Sequence, residues 1–154
     1  MNLLLTEDEA SVARRLERLL RKILGNRITT LSLVPSVAAA RHYLQHHPVD
    51  LLFLDLNLNG EDGFTVLHHL LAESCDVIVV SAYGERALEA FEYGVLDFVP
   101  KPFSEERLRQ AVDRFLDGQG ETDRPLRKIA VKRRGRVTLL DVTHIVMIQG
   151  ADIY

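Results

Sequence analysis

The chain has a single cysteine, Cys75, in 154 residues. That excludes an internal disulfide framework and fits a reducing compartment. No apolar run approaches the ~18 residues of a membrane-spanning helix. No basic segment with an apolar stretch of signal-peptide length precedes Leu3-Leu4-Leu5 and the acids Glu7 and Asp8. The expectation is a cytoplasmic protein with no membrane partner. Neither a G-x-G-x-x-G fingerprint nor a P-loop occurs, which argues against a nucleotide-binding module. Internal repeats and low-complexity tracts are lacking too.

What is present suits a folded domain. Hydrophobic residues make up 47% of the chain, enough to fill a core, so wholesale disorder is not expected. Charge is unevenly spread. Residues 1–123 carry 12 Lys and Arg against 20 Asp and Glu, and residues 124–154 carry 7 against 2. A change of sign this late suggests two units with different partners.

Strand-like and helix-like segments alternate from the N-terminus. Leu3-Leu4-Leu5-Thr6 is a short apolar run. Val12, Leu16, Leu19, Leu20, Ile23 and Leu24 then recur at helical spacing, and Gly25-Asn26 suits a helix stop. Residues 27–33 read as a second strand. Pro35-Ser36 opens a second helix, which Pro48 ends. Leu51-Leu52-Phe53-Leu54 is a buried strand, Gly60-Glu61-Asp62-Gly63 a loop, and residues 64–72 a helix. Residues 76–80 form the fourth strand, 85–92 a helix ending at Gly94, and 95–99 the fifth strand. Ser104 caps the last helix, with Glu105 and Glu106 at its positive end and Gly118 as its stop. Five such units predict an α/β fold: a doubly wound parallel sheet with helices on both faces.

The C-terminal ends of the first, third, fourth and fifth strands converge in such a sheet. They carry Glu7 and Asp8, Asp55, Ser81, and Lys101. Three crowded carboxylates are tolerable around a hard divalent cation, and Mg²⁺ takes few carboxylates with water and a phosphate. Lys101 is a point cation suited to a phosphoryl oxygen, and the Ser81 hydroxyl can donate to another. A carboxylate such as Asp55 can act as a nucleophile that forms an aspartyl phosphate.

This constellation resembles the receiver domain of bacterial two-component response regulators, over residues 2 to about 117. The resemblance rests on Glu7-Asp8, Leu52-Phe53-Leu54-Asp55-Leu56-Asn57, Gly60-Glu61-Asp62-Gly63-Phe64, Val79-Val80-Ser81-Ala82 and Asp97-Phe98-Val99-Pro100-Lys101-Pro102-Phe103. It implies that Asp55 is the phosphoacceptor for a sensor histidine kinase. It implies that Glu7, Asp8, Asp55 and the Asn57 backbone carbonyl hold Mg²⁺, and that Ser81 and Lys101 bind the phosphoryl group. Phe98 matches the aromatic switch residue that turns inward with Ser81. The Lys101-Pro102 bond is expected to be cis. Homodimerisation on phosphorylation is expected as well. There are two departures. Pro100 removes an N–H at the end of the fifth strand, which is tolerated because the resemblance implies a flavodoxin-like sheet of order 2-1-3-4-5 with the fifth strand at an edge. Asn59 stands where the family often has proline, which predicts a more mobile loop after Asp55.

The basic tail differs in character. Ile129-Ala130-Val131-Lys132, Arg136-Val137-Thr138-Leu139-Leu140 and Asp141-Val142-Thr143-His144-Ile145-Val146-Met147-Ile148 resemble the start of a LytTR-type DNA-binding domain. The expected organisation is a receiver over 1–118, a linker over 119–126 and the first part of that output domain over 127–154. DNA is an expected partner only if the output domain is complete. Arg133 to Arg136 are either a solvated hairpin tip or a phosphate-contacting patch. Two alternatives stand beside this reading. One is a receiver acting alone by protein contact. The other is a Mg²⁺-dependent phosphatase of the haloacid-dehalogenase kind. That chemistry resembles Asp-x-Asp, and Asn57 cannot serve as its second, acidic member. His42 and His46 are four residues apart on a helix, and with no third ligand in view they read as a solvated face. His68-His69 read as one inward and one outward position, and Cys75 as a small residue opening the fourth strand.

Overall fold

The structure is a computed structural model that describes residues 1–70, 75–119, 128–133 and 136–141. It divides into two compact units, Met1–Gln119 and Gly120–Tyr154. The first contains β1 (Asn2–Thr6), α1 (Ala10–Leu24), β2 (Thr30–Val34), α2 (Val37–His46) and β3 (Leu51–Leu54). The two-residue strands β4 (Asn57–Leu58) and β5 (Glu61–Asp62) follow. Then come α3 (Phe64–Leu70), β6 (Asp76–Ser81), α4 (Ala87–Glu92), β7 (Asp97–Pro100) and α5 (Glu105–Gln119).

The five longer strands are parallel and ordered β2-β1-β3-β6-β7. Leaving aside the short β4–β5 ladder, this is the expected order 2-1-3-4-5. Both faces of the sheet are covered, which is why all four residues of β3 are buried. Leu52 and Leu54 join a core with Val37 and Ala40 of α2, Phe64 and Leu67 of α3, and Ala90 of α4. Leu51 and Phe53 join the opposite core, with Leu16 and Leu20 of α1 and Leu108, Val112 and Phe115 of α5. Each leucine withdrawn from water in this way contributes about 1.5–3 kcal/mol.

Local signals explain most of the element ends. Ser36 accepts a hydrogen bond from the Ala39 N–H at 3.2 Å and caps α2, and Ser104 does the same for Arg107 at 3.1 Å. Gly25, with φ of +53°, closes α1. A short 3₁₀ turn over Gly25–Arg27 then delays β2 to Thr30, so residues 27–29 are not strand. A second 3₁₀ turn, Gly84–Arg86, precedes α4 and shortens it. Gly94, with φ of +79°, turns the chain, and β7 begins at Asp97 rather than 95. Gly118 does not stop α5, which runs to Gln119 and so one residue into the expected linker. Glycine costs a helix only about 1 kcal/mol and does not by itself end one.

In the second unit, β8 (Lys128–Arg133) pairs antiparallel with β9 (Arg136–Asp141). The expected third strand over 142–148, the rest of the expected linker, Arg134 and Gly135 of the expected hairpin tip, and the His68 and His69 side chains lie outside the described residues. Among the described residues, no helix is long and apolar enough to cross a membrane.

Candidate functional site

Parallel strands deliver their C-terminal ends to one edge of the sheet. Glu7 and Asp8 follow β1, Asp55 follows β3, Ser81 ends β6 and Lys101 follows β7. The structure brings all five to that edge. Ligand oxygens of Glu7, Asp8 and Asp55 lie within 4.8 Å of one another. Lys101 Nζ donates to Glu7 Oε2 at 2.6 Å and to Asp55 Oδ2 at 2.7 Å. Glu7 and Asp55 are 6% and 7% exposed, so the cation balances two nearly buried anions.

The backbone fixes these side chains. The Asp55 N–H donates to Thr6 O at 3.0 Å and locks the strand ends in register. The Asn57 N–H donates to Asp55 Oδ1 at 3.2 Å, and the Glu9 N–H to Glu7 Oε1 at 3.2 Å. The Lys101 N–H donates to Ser81 O at 2.9 Å, and the Lys101-Pro102 bond is cis. Ser81 is fully buried, and its hydroxyl accepts a long 3.4 Å bond from the Tyr83 N–H. Gly63 supports the floor of the site. A Cβ there would collide with the Asp55 carbonyl oxygen and lie 2.9 Å from Leu56 Cα.

The electrostatics follow from burial and crowding. Burial pushes the Glu7 carboxyl above its ordinary value, and Lys101 only partly counters this. Burial also opposes charge on Lys101, but Asp55 and Glu7 more than offset it and hold the ammonium above its usual range. The donor set is all oxygen, anionic and clustered, which fits a hard divalent cation such as Mg²⁺.

Phe98 is buried, inward, among Val77, Val79 and Ala90. In the loop after Asp55, the Asn59 N–H donates to Asp8 Oδ2 at 2.9 Å and its side chain to Pro35 O at 3.1 Å. His42 and His46 stack with centroids 4.4 Å apart on the surface of α2. Cys75 is half-buried against the core that holds Leu52 and Leu54, and its Sγ donates to Asp76 O at 3.4 Å.

Two features went unseen in the sequence. Asp97, 1% exposed, is held by Arg107 at 2.7 and 2.9 Å and by Arg114 at 2.9 Å. Arg107 also donates to Phe98 O at 2.6 Å, so α5 grips the strand at Phe98. An acid inside an apolar strand was the available signal, since burial demands a cation. The second is Arg86, which pairs with both Asp62 carboxylate oxygens at 3.0 Å and lies 4.3 Å over the Phe64 ring. Beside it, Asn57 Nδ2 donates to the Tyr83 hydroxyl at 3.2 Å.

Comparison with known proteins agrees with this geometry. Residues 3–113 match the family described as response regulator receiver domain. The chain belongs to that family. The receiver is 31% identical over 117 residues to sensory transduction protein LytT of Bacillus subtilis, covering 75% of this chain and 48% of the relative. It is 34% identical over 119 residues to transcriptional regulatory protein MalR of Bacillus subtilis, covering 75% and 50%. The match to sensory transduction protein LytR of Streptococcus agalactiae is 28% over 145 residues, covering 93% of this chain and 59% of the relative. The chain thus spans about half the length of the curated relatives it matches. In fold it superposes on the response regulatory domain of MrkE from Klebsiella pneumoniae with a TM-score of 0.71 at 24% identity, covering 79% of this chain and 100% of that one. The receiver is therefore that of a two-component response regulator with LytT- and LytR-like homologues.

Proposed function

We propose that Asp55 accepts a phosphoryl group from a sensor histidine kinase in a Mg²⁺-dependent step, and that this controls transcription in the cytoplasm. The observation that carries this reading is the Asp55 carboxylate, ion-paired to Lys101 at 2.7 Å inside a cluster of three acids. An Asp55 oxygen bonds to phosphorus as the bond from phosphorus to the donor histidine nitrogen breaks, and the nitrogen keeps the electron pair. Glu7, Asp8, Asp55 and the Asn57 backbone carbonyl would hold Mg²⁺, which supplies positive charge to the phosphoryl oxygens. Lys101 supplies a second cation at the same oxygens. The Ser81 hydroxyl, now on a weak bond to Tyr83, is free to donate to the product. Like most receivers, the domain is a phosphoacceptor and at most catalyses its own phosphorylation and dephosphorylation.

Phe98 is the switch in this reading. It already lies inward, so phosphorylation shifts a population toward the arrangement seen here rather than creating a new one. Its carbonyl bond to Arg107 passes the change to α5. The face made by α4, β7 and α5 would then form a homodimer. Residues 127–154 would begin a LytTR-type DNA-binding domain, joined to the receiver by 119–126. The positive charge of that tail and the LytT- and LytR-like relatives support this part. Incubation with acetyl phosphate and Mg²⁺ tests the phosphoryl step. A gel shift with this chain tests DNA binding, and its absence favours a receiver acting by protein contact alone.

A further inference from the structure

Asn59 has φ of +55°, the one positive value among the described non-glycine residues. Gly60 follows at +83°. Together they form a two-residue turn between β4 and β5, in which Leu58 pairs with Glu61 and Asn57 with Asp62. Asn-Gly suits such a turn because both central residues need left-handed backbone, and asparagine tolerates it best after glycine. The Gly60 N–H donates to Asn57 Oδ1 at 3.1 Å, which closes the turn from inside.

The turn has a consequence outside itself. It aims the Asn59 N–H at Asp8 Oδ2, 2.9 Å away, and leaves the other Asp8 oxygen unused by that bond. The Asn59 side chain reaches Pro35 O at 3.1 Å, in the loop after β2. One residue thus joins the loops that follow β1, β2 and β3. Proline at this position would have neither the N–H nor the positive φ.

We propose that Asn59 is a positioning residue for the cation site: its backbone N–H fixes the Asp8 carboxylate so that the free oxygen faces the metal. This rests on the proposed reading that Glu7, Asp8 and Asp55 hold a divalent cation. A backbone amide bonded to a ligand carboxylate sets its orientation, and losing such a partner typically weakens metal affinity about 10- to 100-fold.

Titration of the full chain with Mn²⁺, read by the EPR signal of the free ion, tests it. Asn59→Pro removes the N–H and the turn, and its Kd is expected to rise about 10-fold or more. Asn59→Gly keeps the N–H and the left-handed backbone, and its Kd is expected to stay within about threefold of the parent. A folded Asn59→Pro protein with unchanged Kd overturns the proposal, as does an Asn59→Gly protein as weak as Asn59→Pro. Should Asn59→Pro not fold, amide hydrogen exchange of the metal-free parent decides: slow exchange at Asn59 that Asp8→Ala accelerates supports the proposal, and exchange indifferent to Asp8→Ala overturns it. If the parent binds no Mn²⁺ more tightly than Asp8→Asn, the cation reading itself falls, a result distinct from any Asn59 effect.

Discussion

Lys101 Nζ lies 2.7 Å from Asp55 Oδ2, across the gap between the third and fifth strands of the parallel sheet, and the same ammonium bonds Glu7 at 2.6 Å. The cation therefore holds together a cluster that repulsion would otherwise open. Lys101→Met should leave the acids uncompensated and lower the stability of the metal-free protein by about 2–4 kcal/mol. Mg²⁺ should restore much of the loss, because it replaces the missing charge. Urea unfolding with and without Mg²⁺ measures both effects. Equal losses in the two conditions would show that the cation does not act on the acid cluster.

The pH dependence follows from Glu7. Its folded pKa is raised above 4.5 by burial, so the folded state binds this proton more tightly than the unfolded state does. Glu7 therefore costs stability at neutral pH, and the cost disappears as pH falls through the folded value towards 4.5. Glu7→Gln should stabilise the metal-free protein at pH 7 and make no difference once the wild-type carboxyl is protonated. Lys101 runs the other way. Its raised pKa stabilises the fold below 10.5, and that contribution is lost as pH rises through the folded value. Denaturation midpoints across the pH range check both signs.

Asp97 and Arg107 form the nearly buried pair that ties α5 to β7. Arg107→Ala should cost about 2–4 kcal/mol, since a buried carboxylate loses its main partner while the more exposed Arg114 remains. The double change Asp97→Asn with Arg107→Met should recover part of that loss. Hydrogen exchange in α5 should rise in the single variant. Unchanged exchange there would dissociate Arg107 from the hold on β7.

Gly63 packs where a side chain has no room. Gly63→Ala must displace the Asp55 backbone, because the obstructing atoms are main chain and not a flexible side-chain tip. The expected result is a loss of about 1–3 kcal/mol and a slower gain of phosphoryl label from acetyl phosphate. Stability and labelling unchanged together would mean that the loop accommodates the methyl group without moving Asp55.

The strands were legible because both faces of the sheet are covered. A run such as Leu51-Leu52-Phe53-Leu54 has no helical period and fits a strand buried on each side. Ser36 and Ser104 marked helix starts because their hydroxyls answer unpaired N–H groups. Site placement followed from topology, since parallel strands put their following residues on one edge. Long-range pairing was not legible. Nothing local connects Asp97 to Arg107 and Arg114, or Asp62 to Arg86, because those partners meet only after the helices pack. Asn59-Gly60 was legible in principle. The dipeptide is a strong hairpin signal, but its flanking strands are two residues long and show no alternation. Gly118 misled because a glycine stops a helix only when the backbone there turns left-handed.

The most direct measurement is the intact mass of the chain after incubation with acetyl phosphate and Mg²⁺. A gain of one phosphoryl group that does not form when Mg²⁺ is chelated beforehand, absent in Asp55→Asn and strongly reduced in Lys101→Met, is the predicted result. Full labelling of Asp55→Asn, or no labelling of the parent chain, would contradict Asp55 as the phosphoacceptor.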